Sequence, residues 1–231
     1  MDNDMVKNDI KDIEIFARVD HTLLAASSTW EEINTLCEEA IRYKCASVCI
    51  PPSYVKRLSE KYKDALVICT VIGFPLGYST LEAKLLEIEK AVQEGAKELD
   101  VVINIGDAKN KNFDKITAEL SALKKAAGNN ILKVIIECCY LSEDEKIALC
   151  GCVTKSGADY IKTSTGFGSS GASLEDIRLF KAHIGPNVKM KAAGGMRSRE
   201  DFIAFINEGC SRLGTSSAIK VLTGGKGSGT Y

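Results

Sequence analysis

The chain has 231 residues, 45% hydrophobic and 26% charged, which suits a soluble globular protein. Its formal net charge of −1 gives no global basic field for nucleic acid or acidic membranes. No apolar run is long enough to span a bilayer, and the polar, acidic N-terminus MDNDMVKNDIKD is unlike a signal peptide. Of the nine cysteines, none forms a CxxC pair, and Cys150 and Cys152 sit in a helical context unsuited to a zinc knuckle. A disulfide scaffold does not fit a chain of this size with a sizeable core. The cysteines therefore read as reduced thiols in a cytosolic protein, serving as small buried hydrophobes.

Residues 8–18 form a short amphipathic helix in this reading, with Ile10, Ile13 and Phe16 at helical spacing. A strand-like segment follows at 19–24. The next helix, 28–44, carries a capping box from Thr29 to Glu32. Strand 46–50 stops at Pro51-Pro52, and 52–63 is helical. Strand 66–73 ends at Phe74-Pro75, and helix 79–95 opens with Ser79 and Glu82. Strand 98–104 precedes helix 113–127. Strand 132–138 precedes helix 142–157, whose opening carries Ser142 and Glu145. The stretch ADYIKTSTG at 158–166 gives a short strand with Lys162 near its carboxyl end, then a glycine-rich loop at 166–171. Helix 173–183, strand 187–193, helix 198–209, strand 212–215 and a helix from Ser216 complete the chain. A glycine-rich tail occupies 223–231.

This strict alternation, with near-continuous apolar strands, implies a parallel sheet covered on both faces. About eight strand candidates match the count of a TIM (β/α)₈ barrel, and the length fits one. The alternative, a doubly wound open sheet, lacks the GxGxxG expected after its first strand. A P-loop is also absent. No linker divides the chain, so 1–222 reads as one domain and 223–231 as a flexible tail.

Barrel strands point alternate residues inward. On strand 98–104, Leu99, Val101 and Ile103 oppose Asp100, Val102 and Asn104. On 132–138, Val134 and Ile136 oppose Lys133, Ile135 and Glu137. On 187–193, Val188, Met190 and Ala192 oppose Lys189, Lys191 and Ala193. With Lys162, the charged faces direct Asp100, Lys133 and Lys191 at one interior, and Lys189 and Glu137 join them in this reading. Isolated ions there are costly, so they must be paired or shifted. A salt-bridge network that merely plugs the barrel is the plain alternative. Charged groups near strand ends of this fold more often line an active site. Lysines on neighbouring strands lie about 5 Å apart in backbone, and like charge that close disfavours one ammonium. A lysine free of its proton attacks carbonyls and forms a Schiff base, while a carboxylate such as Asp100 moves protons. The pattern points to carbonyl chemistry through an imine, with no metal cluster to do the job instead. Gly194-Gly195 and Thr215-Ser216-Ser217 follow the last two strands, where backbone N–H groups often bind phosphate.

The strings VIGFPLG (71–77), KELDVVINIG (97–106), LKVIIE (132–137), YIKTSTGF (160–167), KAAGGMR (191–197) and RLGTSSA (212–218) together resemble those of the deoxyribose-phosphate aldolases, in order from about Asp20 to Ala218. The resemblance implies a cofactor-free class I aldolase on a TIM barrel. It would cleave 2-deoxy-D-ribose 5-phosphate to glyceraldehyde 3-phosphate and acetaldehyde in deoxyribose phosphate catabolism. Lys162 matches the imine-forming lysine, Lys191 the second lysine that favours the first one's free amine, and Asp100 the proton-handling carboxylate. Lys133 resembles the lysine completing the polar network. Asp20, Thr22, Cys49 and Thr165 are implied to line the substrate site. Gly171, Gly194, Gly195, Ser216 and Ser217 lie where the family holds phosphate. The loop GFGSSGAS resembles one branch of the family and departs from members with a lysine there. Tyr231 matches a terminal tyrosine that reaches the site in some members, a candidate proton relay. The resemblance also implies a cytoplasmic homodimer acting on a small sugar phosphate. Two other readings stay open: a different Schiff-base aldolase acting on a longer sugar phosphate, and a non-catalytic barrel that binds a phosphorylated ligand.

Overall fold

A computed structural model describes residues 10–225. Its strands are β1 (Val19–Thr22), β2 (Ser47–Ile50), β3 (Ile68–Ile72), β4 (Glu98–Val102), β5 (Ile131–Ile135), β6 (Tyr160–Lys162), β7 (Lys189–Ala193) and β8 (Arg212–Thr215). Each pairs in parallel with the next, and β8 returns to β1, which closes a TIM barrel and excludes the open sheet. The helices are α1 (Asp12–Phe16), α2 (Trp30–Tyr43), α3 (Val55–Tyr62), α4 (Leu81–Gln93), α5 (Ile105–Lys109), α6 (Phe113–Ala127), α7 (Glu143–Ser156), α8 (Leu174–His183), α9 (Arg199–Asn207) and α10 (Ala218–Leu222). Among the described residues, no helix is long and apolar enough to cross a membrane.

Local sequence explains where most helices start. Thr29, Ser142 and Ser198 cap α2, α7 and α9, each with a carboxylate three residues on that returns a bond to the cap backbone. Such reciprocal caps satisfy two otherwise orphaned N–H donors. Helix α4 differs from expectation: its cap is Thr80, which accepts from the Ala83 amide, so the Ser79–Glu82 box does not form. Thr80 is the last extended residue, and Ser79 lies one position outside it. Asn104 likewise leaves the strand, capping the short helix α5 through the Asp107 amide. That helix was hidden because the apolar run of β4 continues into it.

The pleat sorts the strand residues as the alternation predicts. Val48, Ile68, Leu99, Val101, Leu132, Val134, Ile161, Met190, Ala192 and Leu213 belong to one continuous core shared with the surrounding helices. Full burial of such a side chain is worth roughly 1.5–3 kcal/mol, so this outer layer holds the barrel closed. The opposite face of β4–β8 carries charge, and it is equally dry. Asp100, Lys133 and Lys191 are all 0% exposed, and Lys162 is 1% exposed.

Two expected members of that interior lie elsewhere. Lys189 is exposed at the start of β7, its Nζ 5.7 Å from the centre of the Tyr160 ring. It stands on the first rung of β7, in register with Tyr160, at the end of the strand where the side chain still reaches solvent. Glu137 stands beyond the end of β5 with φ +55°. The chain has turned there, and its carboxylate accepts from the Thr165 amide (3.1 Å) and hydroxyl.

Candidate active site

The register of the strands brings the charged side chains together. Asp100 pairs with Lys133, Lys162 with Lys191, and Lys191 with Arg212 across β4 to β8. Asp100 is the hub. Its Oδ2 accepts from Lys162 Nζ (2.8 Å) and Lys191 Nζ (2.7 Å). Its Oδ1 accepts from Lys133 Nζ (2.8 Å) and the Cys69 thiol (3.2 Å). The two lysines expected to crowd one another therefore share a single carboxylate oxygen, and Asp100 stands between their charges.

A second tier lies beneath. Asp20 accepts from Lys191, from Ser47 Oγ (2.8 Å) and from Arg212 (2.5 Å), and its Oδ2 is 3.4 Å from Lys133. Glu98 takes Lys133 at 2.6 Å and both terminal nitrogens of Arg212 at 2.7 and 3.0 Å. The fork geometry suits arginine, which binds carboxylates in pairs. Glu98, Arg212, Ser47 and Cys69 were not expected here. Glu98 shares the inward parity of Asp100 two positions on, and Arg212 opens the last strand, so strict alternation could have found both. Nothing in the sequence ties Ser47 or Cys69 to this cage.

The protonation of the cage follows from these pairs. Burial opposes charge on Asp100 and Asp20, yet the lysines and Arg212 outweigh it and hold both carboxyls below the usual range. Burial also opposes charge on Lys133 and Lys191, and there the carboxylates win and push both amines up. Lys191 is thus an ammonium locked by Asp100 and Asp20. Within this network three carboxylates (Asp20, Glu98, Asp100) face four cationic side chains (Lys133, Lys162, Lys191, Arg212). Among the described residues Lys133 has three carboxylates in ion-pair contact, Lys191 has two and Lys162 has one. Lys162 is the least tightly paired of the three lysines.

The remaining expected residues surround this cage unevenly. Thr22 turns its hydroxyl to its own strand at Asp20 O (2.7 Å). Thr165 is held by Glu137, whose carboxyl burial pushes up, and itself accepts from the Phe167 amide at 3.0 Å. Cys49 is buried in register with Cys69. Hydrogen bonding from Cys69 draws the Cys49 thiol down against burial. Gly171, Gly194 and Gly195 pack backbone to backbone where β7 ends. A Cβ at Gly171 would lie 2.4 Å from the Gly194 carbonyl carbon, and Gly194 has φ +76°. Ser217 is buried, its hydroxyl 3.1 Å from that of Thr215, while half-buried Ser216 lines a cavity of about 380 Å³ whose rim carries Glu31, Glu32 and Glu39. Tyr231 lies outside the described residues.

The chain is matched over most of its length by known proteins. Residues 13–225 match the family described as DeoC/LacD family aldolase. A deoxyribose-phosphate aldolase of Clostridium botulinum (strain Alaska E43 / Type E3) is 61% identical over 211 residues, covering 91% of this chain and 96% of the relative. One of Clostridioides difficile (strain 630) is 58% identical over 208 residues, covering 90% and 95%. A solved tetrameric deoxyribose phosphate aldolase from Aeropyrum pernix superposes with a TM-score of 0.86 at 32% identity, covering 92% of this chain and 91% of that one. The chain belongs to the DeoC/LacD aldolase family, whose members work through a lysine Schiff base.

Proposed function

We propose that this family member reversibly cleaves 2-deoxy-D-ribose 5-phosphate to D-glyceraldehyde 3-phosphate and acetaldehyde, with Lys162 as the imine-forming amine. One observation carries the assignment of roles: Lys162 and Lys191 donate to the same oxygen of Asp100. Lys162 Nζ, once free of its proton, attacks the C1 aldehyde of the open-chain sugar. Loss of water gives a protonated imine, which draws the electron pair as the C2–C3 bond breaks. The C3 hydroxyl gives up its proton to the Asp100 relay, and glyceraldehyde 3-phosphate leaves. The enamine left on Lys162 takes a proton back at C2, and water then releases acetaldehyde and the free amine. Lys191 stays charged and orients Asp100 for both transfers. Preorganised charge of this kind acts strongly in a dry site.

Lys133, Asp20, Glu98 and Arg212 fix the relay from below. Thr22, Cys49 and Thr165 border the sugar, and Gly171, Gly194, Gly195, Ser216 and Ser217 take the phosphate at the ends of β7 and β8. Tyr231 serves as a further proton relay; its deletion lowers kcat and leaves Tm unchanged. The protein works as a cytoplasmic homodimer, which light scattering of the purified chain tests through its mass.

Reduction with borohydride in the presence of acetaldehyde, followed by peptide mass spectrometry, tests the central role. An ethyl group appears on the Lys162 peptide. An unmodified Lys162 in a protein that releases acetaldehyde from 2-deoxy-D-ribose 5-phosphate would overturn the assignment. A product other than acetaldehyde would overturn the substrate.

A further inference from the structure

The barrel interior holds a group that the aldol chemistry leaves unused. Cys49 and Cys69 are in-register partners on adjacent strands, both 0% exposed and both pointing inward. Their sulfurs and a carboxylate oxygen of Asp100 all lie within 4.8 Å of one another. We propose that Cys49, Cys69 and Asp100 form a binding site for a thiophilic divalent cation, Zn²⁺ or Cd²⁺, whose capture switches off Lys162. The switching rests on the imine reading above; the site itself does not.

The ligand chemistry fits. Two thiolates and a carboxylate are a common donor set for zinc, and bonds of about 2.3 Å to sulfur and about 2.0–2.2 Å to oxygen put two ligands of one ion roughly 4 Å apart. The electrostatics also fit, although Lys133 Nζ stands 3.2 Å from Cys69 Sγ and Lys162 and Lys191 hold Asp100. Each thiol releases a proton to water as its sulfur bonds the ion. Two protons leave as one divalent cation arrives, so the net charge facing the lysines does not change. Deprotonation of Cys69 also removes the S–H donor from Asp100 Oδ1 and opens one lone pair of that oxygen to the ion, while Lys133 keeps the other. Leu24, Val71 and Phe74 pack with the two thiols, and the same three side chains line a cavity of about 280 Å³.

Binding of the ion ties up the carboxylate that must accept and return protons beside Lys162. The reaction then loses its relay while every lysine stays in place.

Titration with Cd²⁺ tests both halves. Its thiolate charge-transfer absorbance reports the site without reference to activity, and borohydride trapping of acetaldehyde on Lys162 reports the switch. The metal-free protein gains the band to one equivalent, and trapping falls by about a hundredfold or more, the range that a proton relay contributes. Cys49→Ala and Cys69→Ala, each checked for fold by circular dichroism, lose that band. In either of them trapping, normalised to its own metal-free rate, becomes insensitive to Cd²⁺. A band of undiminished size in both variants overturns the site. A band lost in the variants but without effect on trapping in the parent protein overturns the switch. If the metal-free protein traps no aldehyde, the Schiff-base reading fails, and the band still decides the site.

Discussion

The barrel interior has two sectors, and they are built on different principles. Strands β4 to β8, with Asp20 from β1, contribute a closed set of ion pairs in which nearly every charged atom is held by more than one partner. Strands β2 and β3 contribute Cys49, Cys69 and Val71, which pack with Leu24 and Phe74 as a small apolar cluster of their own. The first sector is costly to perturb because removing one member of a buried pair strands the other. The second gains mainly from burial, with the Cys69 thiol tied to Asp100 and Lys133, and small changes there cost less. Lys162 sits at the boundary of these rules. It belongs to the charged sector, yet it is the surplus cation, so the fold can spare its charge and the chemistry cannot.

That contrast is sharpest at Lys162 itself. Lys162→Met removes the amine and leaves three cations against three carboxylates. Turnover of 2-deoxy-D-ribose 5-phosphate falls on the order of 10⁴-fold or more, as for other lost nucleophiles, while the urea midpoint stays near that of the parent. A midpoint that collapses along with the rate would mean the lysine is structural. Lys133→Met gives the opposite split in stability. It takes one buried partner from each of Asp20, Glu98 and Asp100 at once, and the loss is about 3–5 kcal/mol, read from denaturant unfolding. A variant as stable as the parent would remove the ion cage from the account.

The pH dependence of folding separates the sectors next. Asp20 and Asp100 bind protons less readily folded than unfolded. Their stabilisation is full above the unfolded carboxylate value, about 3.9, and fades as pH falls toward the lower folded values. Lys133 and Lys191 hold their protons more tightly when folded. Theirs is full below the unfolded lysine value, about 10.4, and drains as pH rises toward the higher folded values. Tm against pH therefore shows a plateau between about pH 5 and 9 with a fall on each side. Lys133→Met shows a shallower alkaline fall, and an identical alkaline limb in both proteins would contradict the pairing. The smallest effect belongs to the thiol sector. Cys69→Ala costs about 1 kcal/mol, the usual scale for a modest core truncation, and a loss comparable to that of Lys133→Met would show that the sectors are not distinct.

Much of the scaffold was legible from local pattern. The Thr29, Ser142 and Ser198 caps, the extent of Phe113–Ala127 and the two faces of β4, β5 and β7 follow from spacing over a few residues. Pattern failed where the chain leaves a strand. Asn104 and Glu137 continue the alternation in sequence but have already turned in space, and Lys189, on the first rung of β7, reaches solvent at the strand's open end.

By itself the sequence determined that alternate strand residues are charged and that their neighbours are apolar, because the pleat of a strand repeats every two residues and needs no partner. The tertiary structure alone decided which charges meet. Asp20 binds Lys191 from 171 positions away, and Cys49 meets Cys69 only once β2 and β3 lie in register. Such contacts depend on closure and stagger of the whole barrel, which no local window of residues contains.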